Sequence, residues 1–389
     1  MNYLSDVRDI VKHLNLIKCK NKLKTLPLHE PFLDKDDLKS IIDTVQTGYV
    51  SSAGKEITKF ENLISKKFNF KHVIAVNSGT SAIHLSLLAL GISKNDEILV
   101  PSLTFVGTVN PIRYCDAIPN FVDISLNNLC VCPNKLENYL KQNFFLDENK
   151  KLVNKSTGNK VKAIIYVNIY GNIGEIIKVK KISKKYHLKL IEDSAESLGS
   201  SINGRYAGSF GDLGIFSFNG NKIVTTGMGG AIITNNSILA KKVRKLSSTS
   251  KKDVPFEFIH TEVAFNYRMS NLNASLGISQ LNKLDNILKY KKKLNKHYMQ
   301  VFESYDFEML KMEKESNFWM NAIFFKKNNK NKINQIMKLA AKKNIFLRPL
   351  WKPIHLMNSY KRFPADKLVN TVNAYNRVLC LPSSAFLKC

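Results

Sequence analysis

The sequence predicts an α/β protein in which a large domain is built on a mainly parallel sheet with helices on both faces, followed by a smaller α+β domain. Three observations predict it. Short Val- and Ile-rich runs alternate with amphipathic stretches as far as about residue 235, the pattern of βαβ units. After residue 270 this gives way to a long amphipathic helical region and then to a strand–helix–strand pattern. The chain has 389 residues, 44% of them hydrophobic, whereas single cores stop growing at roughly 250–300 residues.

Taken in order, residues 1–30 read as a helical N-terminal extension that ends in the stretch TLPLHEPFL. The large domain spans 31–270, with strands at 72–77, 97–101, 118–124, 162–168, 188–193 and 231–235. Helical spacing is clear at 80–91 and 175–187. Residues 141–160 are polar and aperiodic, and we expect a solvated excursion there. The smaller domain, 271–389, opens with a long helix over 271–302 and continues with a strand at 319–325, a helix at 333–343 and a strand at 345–350. Two domains with a cleft between them suit a ligand site, and in parallel sheets ligands bind at the carboxyl ends of the strands.

Composition narrows the function classes. A net charge of +28 invites polyanions, yet the lysines are spread along the whole chain, often beside Asn and Ile, as over 326–344. No nucleic-acid-binding motif accompanies them, so nucleic acid is not the expected partner. No apolar run approaches the ~20 residues needed to cross a bilayer, and the N-terminus lacks the apolar core of a signal peptide. Six cysteines form no CxxC pair, which points to a reduced, cytoplasmic protein with neither disulfides nor a zinc site.

Three segments carry candidate chemistry. In VNSGTSAIHL a strand runs through Ser78, Gly79 and Thr80 into a helix, whose first N–H groups favour a phosphate. From those residues alone an ordinary Ser/Thr helix cap is the better reading. In LIEDSAESLGS an apolar strand ends at Asp193, placing a carboxylate where ligands bind. That carboxylate could partner a ring nitrogen or simply cap the next helix. In GIFSFNGNKIVTTGMGG, Lys222 lies between two apolar strand-like segments, unlike the lysines of the solvated runs. Burial there favours an amine nucleophile able to form a Schiff base.

Together, a phosphate turn, a strand-end Asp and a lysine after a short apolar segment resemble fold-type I enzymes that use pyridoxal 5′-phosphate (PLP), with a seven-stranded type of sheet. In detail the chain resembles the DegT/DnrJ/EryC1/StrS family of sugar aminotransferases. The resemblance runs from TGYVSSAGKEITKFE through NSGTSAIHL, PSLTFVGTVNPIRY, EDSAESLGS, GDLGIFSFNGNK, TTGMGG and FNYRMSNLNASLG to RPLWKPIHLM and LPSS. SFNGNK and the PLHEP start look most like the branch acting on 4-keto-6-deoxy sugars for bacillosamine, legionaminic acid or perosamine.

The resemblance implies that Lys222 carries the cofactor as a Schiff base and moves the proton during transfer. It further implies Asp193 at the pyridinium nitrogen, Glu196 near the 3-hydroxyl where many members have Gln, and Phe105 stacked on the ring. Gly79, Thr80 and Ser217 would hold the phosphate, with Asn266 reaching it from the second subunit of a homodimer. Val50, Ser51, Ser52, Arg348 and Trp351 match positions lining the sugar-nucleotide site. Phe105 and Trp351 read equally as ordinary packing residues. A dehydratase branch of the family has histidine at the lysine position, so Lys222 favours transamination, with L-glutamate as donor by family habit. Two other readings remain at this point: another fold-type I enzyme, and a non-catalytic or regulatory binding protein that kept the fold.

Overall fold

The computed structural model describes residues 3–252 and 254–388. Its first half runs α1 (Tyr3–Lys20), α2 (Lys35–Gln46), α3 (Lys55–Phe68), β1 (His72–Val76), α4 (Gly79–Ala89), β2 (Glu97–Pro101), α5 (Val106–Tyr114) and β3 (Ile118–Val122). Then come α6 (Pro133–Asn143), β4 (Phe144–Leu146), β5 (Leu152–Asn154), β6 (Lys160–Val167), α7 (Ile176–Lys185) and β7 (Lys189–Asp193). A short hairpin, β8 (Ser201–Ile202) and β9 (Arg205–Tyr206), precedes β10 (Leu213–Ser217), β11 (Gly230–Thr234) and α8 (Ser237–Ser247).

The main sheet has the order β1-β11-β10-β7-β6-β2-β3. The pairs β10–β7, β7–β6, β6–β2 and β2–β3 are parallel, while β11 runs antiparallel to both β1 and β10. Seven strands therefore form the path, as expected, and the mostly parallel pairing explains why its strands are continuous apolar runs such as the wholly buried Glu97–Pro101. Buried Glu97 is tolerated because Asn120 Nδ2 and Asn154 Nδ2 donate to it at 2.8 and 2.9 Å, and Thr157 Oγ1 at 2.5 Å.

Asn154 and Thr157 belong to the stretch we expected to be a solvated excursion. Instead β4 and β5 form a hairpin, and β5 pairs antiparallel with β6, making nine strands in all. Leu152 and Phe144 are buried there, and the Glu97 carboxylate supplies the anchor that a polar, aperiodic sequence conceals.

The C-terminal part contains α9 (Asn271–Asn282), α10 (Leu284–Val301), β12 (Phe307–Met309), β13 (Asn321–Phe325), α11 (Lys330–Ala341), β14 (Arg348–Pro349), α12 (Val369–Tyr375) and β15 (Val378–Leu381). The single long helix expected over 271–302 is two helices meeting at Lys283. Lys283 Nζ turns back to Asp34, 2.7 Å away, and to Asp37, the two residues of the capping box that starts α2. The smaller sheet has the order β12-β13-β15-β14.

α1 packs onto this smaller part rather than projecting away. Val7, Ile10, Val11, Leu14 and Ile17 recur at three- and four-residue spacing and form one cluster with Leu294, Tyr298, Phe302, Ile333 and Ile336. The C-terminal chain also returns to the large sheet. Phe121 of β3 pairs with Ala365, and the buried Asp123 carboxylate accepts from the backbone N–H groups of Asn370 and Thr371 at the start of α12.

Candidate active site

The connections that follow β1, β2, β6, β7 and β10, with Trp319 and Trp351, line a cavity of about 550 Å³. After β1, Ser78 caps α4, its hydroxyl accepting from Ser81 N at 3.0 Å. The first-turn N–H groups of Gly79 and Thr80 have no partner within the helix and carry the positive end of its dipole. Glycine lets the sheet meet this turn closely. A Cβ at Gly79 would lie 3.0 Å from Ser217 Cβ, and one at Gly230 would lie 2.5 Å from the Ser78 carbonyl carbon.

Asp193 closes β7 and is buried. Thr108 Oγ1, in the first turn of α5, donates to Asp193 Oδ2 at 2.8 Å, and Ala195 N donates to Oδ1 at 3.1 Å. Burial pushes this carboxyl above the usual aspartate range, with the Thr108 bond and the nearby Lys222 opposing. The site therefore favours a cation beside Asp193.

Lys222 sits in the turn between β10 and β11. That turn is closed by Phe218 N on Gly229 O and Thr226 N on Phe218 O, both 2.9 Å. The Lys222 side chain is largely buried, its Nζ 3.5 Å from Glu196 Oε1 and 4.4 Å from the centre of the Trp319 ring. Trp319 Nε1 donates to the carbonyl of the preceding residue, Asn221, at 2.8 Å. Glu196 Oε2 accepts from Tyr170 N at 2.9 Å. Burial lifts the Glu196 carboxyl to about 7, while Lys222 pulls the other way. Tyr170 holds φ +58, a left-handed backbone uncommon for an aromatic residue, and so aims its N–H at Glu196.

Of the residues singled out in the sequence, Gly79, Thr80, Phe105, Asp193, Glu196, Ser217, Lys222 and Trp351 all line this one cavity. Phe105, 59% exposed at its rim, is free to meet a flat ligand face. Five others do not line it. Asn266 is exposed on the segment paired with Ser248, and Arg348 is exposed in β14. Val50, Ser51 and Ser52 form the turn before α3, held by Asn271 N on Ser51 O at 2.7 Å. That turn borders a larger groove of about 880 Å³ between α2 and α9, whose walls include Lys39, Asp43 and Lys59 but no residue of the Lys222 cavity.

The sequence reading missed Thr108, Asn219, Asn221 and Trp319, which line the cavity as well. Thr108 stood inside the quoted LTFVGT segment, and its place one helical turn after Thr104 was the available signal. Trp319 was absorbed into a strand, and nothing in its neighbourhood marks it. Among the described residues no cluster of His, Cys, Asp and Glu could hold a metal, and no helix is long and apolar enough to cross a membrane.

The sequence pattern of the DegT/DnrJ/EryC1/StrS aminotransferase family matches residues 31–388. The chain is 33% identical over 364 residues to a GDP-perosamine synthase of Vibrio cholerae, covering 92% of this chain and 94% of that protein. It is 31% identical to the UDP-4-amino-4,6-dideoxy-N-acetyl-beta-L-altrosamine transaminase of Campylobacter jejuni, with 90% of each covered. Among solved structures, Helicobacter pylori PseC, an aminotransferase involved in the biosynthesis of pseudoaminic acid, superposes with a TM-score of 0.84 at 26% identity, covering 94% of this chain and 95% of that one.

Proposed function

Since the chain belongs to the DegT/DnrJ/EryC1/StrS aminotransferase family, we propose that it transfers an amino group from L-glutamate to C4 of a nucleotide-linked 4-keto-6-deoxy sugar. The observation that carries this is the convergence of Lys222, Asp193 and the Gly79–Thr80 turn on one cavity. Those groups fit PLP. Unpartnered helix N–H groups suit its phosphate, a buried carboxylate suits its pyridinium nitrogen, and the exposed Phe105 ring suits its face. Once bound, the cofactor supplies an electron sink for ionising a C–H bond beside nitrogen.

The chain's own residues do the rest. Lys222 is the amine that takes the proton from the donor carbon and returns it, a task for a base held within reach. Glu196, 3.5 Å away with its carboxyl raised by burial to about 7, is a group beside that amine that can hold a proton. Thr108 keeps Asp193 aimed into the cavity. Asn266 of the partner subunit completes the phosphate contacts in a homodimer. Its exposure, and the fact that it does not line the cavity of its own chain, support that reading. Trp351, on the cavity wall, receives the sugar nucleotide.

A 4-amino-6-deoxy product is supported by the name of the Campylobacter relative, and a nucleotide carrier by both relatives named above. Such a product serves surface glycan or nonulosonic acid synthesis in the cytoplasm. The test is the absorbance spectrum of the purified protein before and after L-glutamate, for wild type and Lys222→Ala. A band from lysine-bound cofactor that glutamate converts, and that the variant never builds, is the expected result. A wild type that shows no band with added PLP would refute the assignment.

A further inference from the structure

Lys291 is wholly buried in the middle of α10, and among the described residues no carboxylate is paired with its amine. Its Nζ instead meets the carbonyl oxygen of Trp319 at 2.7 Å, the carbonyl oxygen of Ser383, and His29 Nε2 at 2.9 Å. Burial depresses the Lys291 amine well below the usual lysine range. Burial, with Lys291 and Lys222 nearby, likewise keeps His29 neutral. An apolar side chain of similar length would avoid that desolvation, so a lysine here holds something in place at a cost in stability.

What it holds is Trp319. The residue is fixed at both ends: its backbone carbonyl by Lys291, its indole N–H by the carbonyl of Asn221. The His29 ring also packs against the indole, their centres 5.8 Å apart. Fixed in this way, the indole lies over the Lys222 amine at 4.4 Å, on the cavity wall. The connection therefore runs from α10 through one peptide carbonyl and one ring to the working amine.

We propose that Lys291 is a positioning residue that clamps Trp319 over Lys222 and so sets where the Lys222 amine stands when it takes and returns a proton. This rests on Lys222 being the working amine. Displacing a catalytic group by about an ångström costs on the order of a hundredfold in rate.

The protein has two tryptophans, so Trp351→Phe leaves Trp319 as the sole indole reporter. In that background we expect Lys291→Met to raise acrylamide quenching of Trp319 in the cofactor-free protein, with the far-UV spectrum unchanged. In otherwise wild-type protein carrying PLP, Lys291→Met should slow the glutamate half-reaction roughly ten- to a hundredfold. The concentration of glutamate at half-saturation should stay unchanged. Trp319→Phe should slow the same step, and the double variant should be no slower than the worse single one, because both changes break one connection. If Lys291→Met does not fold, Lys291→Gln takes its place: its shorter amide cannot reach as the amine does to both the Trp319 and Ser383 carbonyls, so it should also raise quenching and slow the step, by less than Met would.

Unchanged quenching, or additive losses in the double variant, would overturn the clamp. A wild type that binds no PLP would sink the functional assignment instead, and the quenching measurement on cofactor-free protein would still decide the clamp.

Discussion

Thr108 Oγ1 donates a 2.8 Å hydrogen bond to Asp193 Oδ2, and the same hydroxyl lies 2.7 Å from Thr104 Oγ1. A hydroxyl has one proton to give, so Thr104 must donate to Thr108, forming a relay of two side chains behind one carboxylate. Thr108→Val keeps the shape and removes the donor. We expect PLP to bind about tenfold more weakly, the worth of one hydrogen bond to a charged group. Titration of the cofactor-free variant, followed by absorbance, checks it.

Glu196 gives a dependence on pH. Burial raises its carboxyl from 4.5 to about 7 in the folded chain, so the fold binds a proton that the unfolded chain releases. The associated stability is present below about pH 4.5 and is lost as the pH rises through about 7. Glu196→Gln keeps an acceptor for Tyr170 N and removes the ionisation. Cofactor-free wild type and variant should be similarly stable near the acid end of that window. Above it the variant should lead by up to about 3 kcal/mol, as read from denaturant unfolding at several pH values.

Away from the site, Glu97→Ala strips the acceptor from Asn120, Asn154 and Thr157 at once. We expect a loss of about 3 kcal/mol in stability, because buried donors are left unpaired, with PLP affinity unchanged. Urea unfolding beside a cofactor titration separates the two effects.

Leu14 on α1 is fully buried against the smaller sheet and its helices. Leu14→Ala should cost roughly 2–5 kcal/mol for lost burial and the void left behind. A thermal melt of the variant that matches wild type would show that α1 does not belong to the cooperative unit.

Much of this architecture was legible in the sequence because the main sheet uses buried, mostly parallel strands, whose apolar runs are hard to mistake. Lys222, Asp193 and Gly79 could be singled out because each lies at or shortly after the end of an apolar strand. The hairpin at β4 and β5 was hidden, since its anchor is a polar network centred on Glu97, a residue inside another strand. Trp319 was hidden for a related reason. Its importance comes from contacts with Lys222 and Lys291, residues far away along the chain, and no local periodicity encodes such contacts. The break at Lys283 was missed because helical spacing continues across it, and only the tertiary pairing with Asp34 marks the joint.

The reversed direction of β11 has a consequence for how the amine is delivered. A parallel continuation would carry the chain from Ser217 to the far end of the sheet before returning. The antiparallel pairing of Ser217 with Gly230 keeps the intervening segment at the cavity end of the sheet, where Asn219, Asn221, Lys222, Met228 and Gly229 line the cavity. Zipping β10 to β11 therefore closes a short loop, at modest entropic expense, and delivers Lys222 in the same event. The segment has no slack to absorb a change of length, so adding or removing a residue between Phe218 and Gly229 would be felt at the amine itself.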